Sequence, residues 1–366
     1  MPFRTLTERE NTILSLIVQS YILDCSPVGS RTLVRRFGLD LSPATIRNTM
    51  NDLEEAGLLI QPHTSAGRIP TSLGYRVYVD ELMDPKPLSR KDRATIRDAV
   101  MGEHSGHIRD AATVLDQTVR ALGGLTRLLA VSLEPRLDLG TFEKIELVSL
   151  GAGKILAVLT IEKGFLRTIV LELEAAVKSE SLTETAGILN ERLSGLPMKI
   201  IRESVRERMR DVSATDPKVL KLIVNNSEDI FSSSLEEGGI HVWGTPNILS
   251  QPEFADQERM VALIGALEEK EIIVRILGGQ HREAGLTITI GEENTDGEIK
   301  FCSVVASPYA VGEVSGSLGI VGPTRMEYSK LVSIVDYTAR IVSEVLGEAP
   351  SRVELPDGVV PMEGLK

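Results

Sequence analysis

Ser42 is followed at once by Pro43, and Ile46, Met50 and Leu53 then recur at the spacing of one helical face. A serine that can cap, a proline whose missing N–H costs nothing in a first turn, and Gly57 beyond the last apolar position predict a short helix with defined ends. Upstream, Ser30 reads as the N-cap of another short helix running through Leu33, Val34 and Phe37 to Gly38, with residues 39–41 as the turn between the two. Thr7-Glu-Arg-Glu10 is a capping box. The helix it opens carries Ile13, Leu16, Ile17, Tyr21 and Ile22 as an apolar stripe, and Pro27 stops it. Three helices, the last two joined by a tight turn, match the helix-turn-helix plan, in which the second helix of the pair enters the major groove.

With side chains turning about 100° per residue, the face opposite Ile46 carries Ala44, Arg47, Asn48 and Asn51, with Thr45 on its flank. Arginine can grip guanine O6 and N7, asparagine adenine N6 and N7, and small side chains allow close approach. The amides at the Ser42 end suit a phosphate. Asp52, Glu54 and Glu55 gather at the other end, so only the first two turns should approach DNA. Arg31, at the start of the shorter helix, is a further candidate. Residues 58–61 then read as a strand, 62–68 as a polar turn and Ile69-Pro-Thr71 as the returning strand, which is where a wing would stand. His63, Thr64, Ser65 and Arg68 are placed to touch phosphate or a minor groove. A fourth helix, 71–83, offers Tyr75, Tyr78, Val79 and Leu82 to the wing or across a dimer. The spacing alone leaves a protein-binding three-helix module open as the rival reading.

Charge bears on that choice. Residues 1–80 hold eight Arg, no Lys and eight acids, so they are neutral, and the rest of the chain carries the whole −12. A uniformly basic nucleic-acid coat is excluded; an Arg-only segment on an acidic body remains. Two cysteines, Cys25 and Cys302, exclude a disulfide scaffold or a cysteine-rich metal site. The first residues are polar where a signal peptide would be apolar, and the longest apolar runs, such as 155–161, are of strand length, so no membrane association and a cytoplasmic location are expected.

Beyond the prolines at 85 and 87 the chain reads as α+β. Residues 142–150, 154–162 and 165–174 are expected as successive strands, with strands resuming at 240–243, 286–291, 300–307 and 316–321. Helices are expected from about 92 to 127, broken at 102–106, and at 184–193, 205–212, 217–231, 253–269 and 328–346. The expected division is 1–85 for a winged helix-turn-helix, 86–103 for a linker, 104–174 with 240–346 for one sheet domain, 175–239 for a mainly helical insertion, and 347–366 for a flexible tail. Val219, Leu220, Ile223 and Ile230 give that insertion more apolar surface than an exposed helical block should carry, so a second copy of the chain is expected to cover them.

Other chemistries fit poorly. Gly151-Ala-Gly-Lys154 lacks the glycine spacing and the following Ser or Thr of a phosphate loop, and a strand follows it. His104 and His107 lack further ligands, His241 and His281 stand isolated in sequence, and Cys302 lies in an apolar strand. No cofactor, metal or catalytic constellation is expected.

The run Ser42-Pro-Ala-Thr-Ile-Arg-Asn-Thr-Met-Asn-Asp-Leu-Glu-Glu-Ala-Gly-Leu-Leu59, followed by His63-Thr-Ser-Ala-Gly-Arg-Ile-Pro-Thr71, closely resembles the HrcA family of heat-inducible transcription repressors. Residues 7–23, Pro27-Val-Gly-Ser-Arg31, Gly291-Glu-Glu-Asn294 and Gly319-Ile-Val-Gly-Pro-Thr-Arg-Met-Glu-Tyr328 fit it too. The resemblance implies a GAF-like body interrupted by a dimerising insertion. It implies a homodimer that binds an inverted-repeat operator in double-stranded DNA upstream of chaperone operons, and a chaperonin that keeps the repressor in DNA-binding form. A GAF-like pocket that senses a small molecule is the alternative.

Overall fold

The structure is a computed structural model that describes residues 5–63, 66–102, 111–135, 140–161, 165–173, 177–212, 217–231, 239–278, 285–294, 297–312 and 314–347. The chain opens with α1 (Glu8–Asp24), capped as its sequence dictates: Thr7 N–H donates to Glu10 Oε2 at 2.8 Å and Glu10 N–H to Thr7 Oγ1 at 3.3 Å. Cys25, in the left-handed conformation, ends it. Helix α2 (Ser30–Phe37) starts one residue earlier than Ser30 as a cap would allow. Gly29 is the cap, because both backbone groups of Val28 are bonded to Arg68 and hold the chain extended up to that point. Helix α3 (Pro43–Glu55) has Ser42 as cap, its hydroxyl accepting from Thr45 N–H at 3.1 Å. Strands β1 (Leu59–Ile60) and β2 (Ile69–Pro70) pair antiparallel, Leu59 with Pro70 and Ile60 with Ile69. The fourth helix stands where 71–83 was expected: Thr71 caps α4 (Ser72–Val77), which widens into a last turn, Tyr78–Leu82, before Met83. Ile13, Leu14, Ile17, Leu33, Ile46, Leu53 and Tyr75 form the buried centre of this unit.

The helical pattern expected from about 92 is a packed helix, so most of the span 86–103 is not the linker that the expected division made it. Ser89 caps α5 (Arg90–Met101), whose Ile96 and Val100 are buried against α6 (Ala111–Thr126) and the last helix, α14 (Tyr328–Gly347). Helices α6 and α14 cover one face of a five-stranded antiparallel sheet, with α5 packed on them. Its strands, in chain order β3 (Leu129–Leu133), β7 (Ile240–Trp243), β8 (Thr287–Ile290), β9 (Cys302–Val311) and β10 (Val314–Pro323), lie in the spatial order β7-β3-β10-β9-β8. On the other face lie α11 (Thr245–Leu249), α12 (Gln257–Glu268) and α13 (Lys270–Gly278). Alternate residues of one strand serve the two cores: Ala130 faces α6 and α14, while Leu129, Val131 and Leu133 face α12 and α13. Residues 253–269, expected as one helix, are a short turn at Pro252–Phe254 followed by α12.

Strand β3 was not expected at all, and it reorders the middle of the chain. Leu133 pairs with Ile240 of β7, and Glu134 N–H donates to Gly239 O at 2.7 Å, so everything in 134–239 leaves and re-enters the sheet at one point. The three strands β4 (Phe142–Gly151), β5 (Lys154–Ile161) and β6 (Phe165–Glu172), expected in the main sheet, form a sheet of their own in the order β4-β5-β6. Their partners are α7 (Ser179–Leu193), α8 (Met198–Arg208), α9 (Pro217–Asn225) and α10 (Ser227–Phe231). Asn190 of α7 bonds both backbone groups of Ile145, and the Phe142 and Phe231 rings meet edge to face at 6.1 Å.

That arrangement corrects the expected dimer contacts. Val219, Leu220, Ile223 and Ile230 are buried inside a single chain, where α9 packs against α7 and α10, and α10 against α8. The face of β4-β5-β6 turned away from the helices is the exposed one. Val148, Leu156 and Val170 stand in one cross-strand row there, with Val148 and Val170 about half exposed (49% and 51%) and Leu150 beside them at 53%.

Candidate nucleic-acid interface

Helix α3 divides cleanly. Ile46, Thr49, Met50 and Leu53 are buried, and Ala44, Arg47, Asn48 and Asn51 are exposed on the opposite side. Thr45 is half-buried, its hydroxyl 2.9 Å from that of Ser42, so both hydroxyls close the first turn and the Ser42 end keeps its remaining amides outward. Among the described residues, Arg31, Arg47 and Asn48 have no side-chain partner, and all three are exposed. Arg36, by contrast, is paired with Asp24, and its second nitrogen sits 3.2 Å from that carboxylate.

The hairpin stands beside this face. Val28 and Arg68 exchange two backbone bonds of 2.9 Å, which pins the base of the hairpin to the segment before α2. Gly67 is required there: a Cβ would lie 2.3 Å from the Val28 carbonyl oxygen. Gln61 Nε2 donates to Ala66 O at 3.0 Å across the hairpin. His63 is exposed near the tip; Thr64 and Ser65 lie outside the described residues.

Arg68 was expected to reach for phosphate. Its guanidinium instead turns toward α3, donating from Nη2 to Asn51 Oδ1 at 2.9 Å and lying 2.8 Å from Glu54, with only 13% of the side chain exposed. The pairing of Arg68 with Glu54 also answers one of the acids at the far end of α3. Two exposed side chains of α3, Arg47 and Asn48, are thus free, and a third, Asn51, is held from behind. No signal within a few residues of Arg68 announces this, because Asn51 and Arg68 meet only once the hairpin folds back.

Residue His241, expected to be isolated, lies 3.1 Å from Glu134 where 134–239 leaves the sheet. Cys302 is fully buried, and burial pushes its thiol up to about 12. The cavity enclosed by α12, α13 and the sheet is about 10 Å³ and lined by Val131, Leu263, Ile273 and Leu277 among other apolar side chains. Such a space holds at most about one water. Among the described residues, no helix is long and apolar enough to cross a membrane.

Residues 112–332 match the family described as the HrcA protein C terminal domain. The heat-inducible transcription repressor HrcA of Chlorobium chlorochromatii (strain CaD3) is 39% identical over 348 residues, covering 94% of this chain and 99% of that one. Its counterpart in Geobacter sulfurreducens (strain ATCC 51573 / DSM 12127 / PCA) is 39% identical over 344 residues, covering 93% and 98%. A crystal structure described as that of a hypothetical protein at 2.2 Å resolution shares the fold, with a TM-score of 0.65 at 22% identity over 94% of this chain and 100% of the other.

Proposed function

This chain belongs to the HrcA family of heat-inducible transcription repressors, and on that premise we propose that its first 82 residues are a winged helix-turn-helix that reads an inverted-repeat operator upstream of chaperone operons. The observation that carries this reading is α3, buried on its Ile46 face and free on its Arg47 and Asn48 face. Arg47 and Asn48 supply base-edge chemistry, the Ser42 end and Arg31 supply phosphate contacts, and His63 reaches the flanking backbone. The acidic remainder repels phosphate, which leaves one docking orientation attractive.

The five-stranded sheet with helices on both faces is read as the GAF-like body, and 134–239 as an inserted unit that dimerises. Support for the second reading comes from the apolar row Val148, Leu156 and Val170 on an otherwise solvent-facing sheet, since exposed apolar rows of this kind mark interfaces. A two-fold pair would present two copies of α3 to two half-sites. The sensor alternative draws no support from the cavity between the sheet and α12 and α13, which at about 10 Å³ is too small for a metabolite. A chaperonin is assigned the role of returning the slowly folding chain to this state.

The test is a gel shift with the full chain on the region upstream of the organism's chaperonin operon, with and without chaperonin. A salt-sensitive, sequence-specific shift that chaperonin strengthens is expected. Equal binding to scrambled DNA would remove the operator reading.

A further inference from the structure

The motifs at 291–294 and 319–328 have no part in the DNA-reading face, yet both meet the N-terminal unit. Arg325 donates from Nη1 to the carbonyl of Ile22 at 2.9 Å, in the last turn of α1. Its Nε and Nη2 hold Glu253 at 2.6 and 3.2 Å, with the Arg325 side chain 13% exposed and the Glu253 side chain 15%. The same Glu253 oxygen lies 3.6 Å from Sγ of Cys25, the cap of α1. A helix C-terminus is a site for a cation, and a planar guanidinium can serve it and a carboxylate at once.

Three further contacts join the same two surfaces. Arg76 of α4 is paired with Glu293, with Nε to Oε1 at 2.8 Å, and donates to Ile288 O at 2.7 Å. The Tyr75 ring of α4 lies 5.9 Å from that of Tyr328, whose hydroxyl is tied to Ser303 Oγ and Thr324 O. Lys86 bonds Glu327 at 2.7 Å, and its backbone N–H bonds Ser329 O at 2.8 Å. Gly291 admits the close approach: its φ is +57°, and a Cβ would lie 2.2 Å from Ser72 Oγ.

Helices α1 and α4 carry α3 on their shared core, so whatever fixes them fixes the recognition face. We propose that Arg325, Glu253, Glu293 and Tyr328 form a clamp that sets the orientation of the DNA-reading helix on the body, and through it the operator half-site spacing that a dimer accepts. The clamp residues are positioning residues and touch no DNA. The proposal rests on the operator reading above.

The test uses the full chain and duplexes carrying two operator half-sites at a series of spacings, beside a single half-site. The wild-type chain prefers one spacing by about a hundredfold, the scale of gain when a second site binds intramolecularly. Arg76→Gln and Arg325→Ala flatten that preference and leave single half-site affinity within about twofold, because the clamp touches no base or phosphate. Retained spacing preference in both variants overturns the proposal, as does an equal loss on the single half-site, which would mark a folding defect. Alkylation of Cys25 by iodoacetamide gives a readout without DNA, since Cys302 is buried. Arg76→Gln, which does not contact Cys25, speeds it about tenfold if the contacts open as one unit. An unchanged rate overturns the clamp whatever the DNA does. A wild-type chain that binds none of the duplexes overturns the operator reading, and the spacing role with it, while alkylation still reports on the clamp.

Discussion

Arg68 Nη2 donates to Asn51 Oδ1 at 2.9 Å, so the hairpin fixes the amide orientation of a residue on α3, the helix proposed to read DNA. Because the amide oxygen accepts from Arg68, Asn51 can present only its NH2 group, and what is left of the oxygen's second lone pair, to a base. The guanidinium charge is spent on Glu54 rather than on phosphate. Arg68→Ala is therefore expected to relax base preference at the position facing Asn51 while leaving the slope of affinity against salt unchanged. A slope lowered by about one per half-site would show instead that Arg68 neutralises phosphate in the complex.

Arg47 and Asn48 should behave differently. Arg47→Ala or Asn48→Ala is expected to cost about 1–3 kcal/mol of operator binding and to relax preference at one position per half-site. Neither side chain has a partner among the described residues, so thermal stability should hardly change. Competition binding against operator variants measures the first effect and a melt the second; wild-type affinity in Arg47→Ala would reassign the reading face.

Much of the recognition unit was legible because its signals are local. The Thr7–Glu10 box and the Ser42–Pro43 start each lie within one turn, and the burial of Ile46, Met50 and Leu53 follows from a single helical period. The body was legible in its elements more than in its pairings. Strand β3 is buried on both faces, so it lacks alternation, and it follows closely on the apolar pattern of α6. Without β3, nothing marks the point at which 134–239 departs, and β4, β5 and β6 fall into the wrong sheet. The apolar stripe Val219, Leu220 and Ile223 shows in sequence that it needs cover; that α7, some thirty residues upstream, helps to supply it does not show there. Arg68 with Asn51 and Arg325 with Ile22 were hidden for the same reason.

The open face of β4-β5-β6 is the surface proposed for dimerisation. Val148→Asp combined with Val170→Asp places charge on both outer strands of the apolar row, at positions already about half exposed (49% and 51%), so the fold should be kept. Sedimentation equilibrium is expected to report a monomer, with operator affinity lowered at least tenfold by loss of the second half-site. A dimer of wild-type strength would send the interface elsewhere.

The buried phenols predict an alkaline limit. Burial raises Tyr75, Tyr309 and Tyr328 above the ordinary tyrosine value of 10.0. The folded chain therefore keeps protons that the unfolded chain releases, so this contribution to stability is complete below pH 10 and is lost as pH rises further, by about 1.4 kcal/mol per phenol per pH unit. Phenolate absorbance from half of the six tyrosines should appear only together with loss of the far-ultraviolet circular dichroism. Titration of all six while the dichroism persists would contradict the burial.

Refolding should be slow, for a reason set by the sheet order. β3 cannot complete its ladders until β7 and β10 arrive, and the whole of 134–239 intervenes before the first of them. Closing such a loop costs entropy before pairing repays it. Meanwhile β5, Lys-Ile-Leu-Ala-Val-Leu-Thr-Ile from 154 to 161, is the central strand of its own sheet, and its uncharged stretch after Lys154 is prone to non-native pairing while both neighbours are missing. Dilution of the denatured chain to micromolar concentration is expected to give mostly aggregate, and chaperonin with ATP to raise the DNA-binding fraction several-fold. A chain in which residues 135–238 are replaced by Asn-Gly, joining Glu134 to Gly239 where they already bond, should recover its dichroism faster and without help. Complete, unaided refolding of the full chain at growth temperature would leave the proposed dependence on chaperonin without a physical cause in the fold.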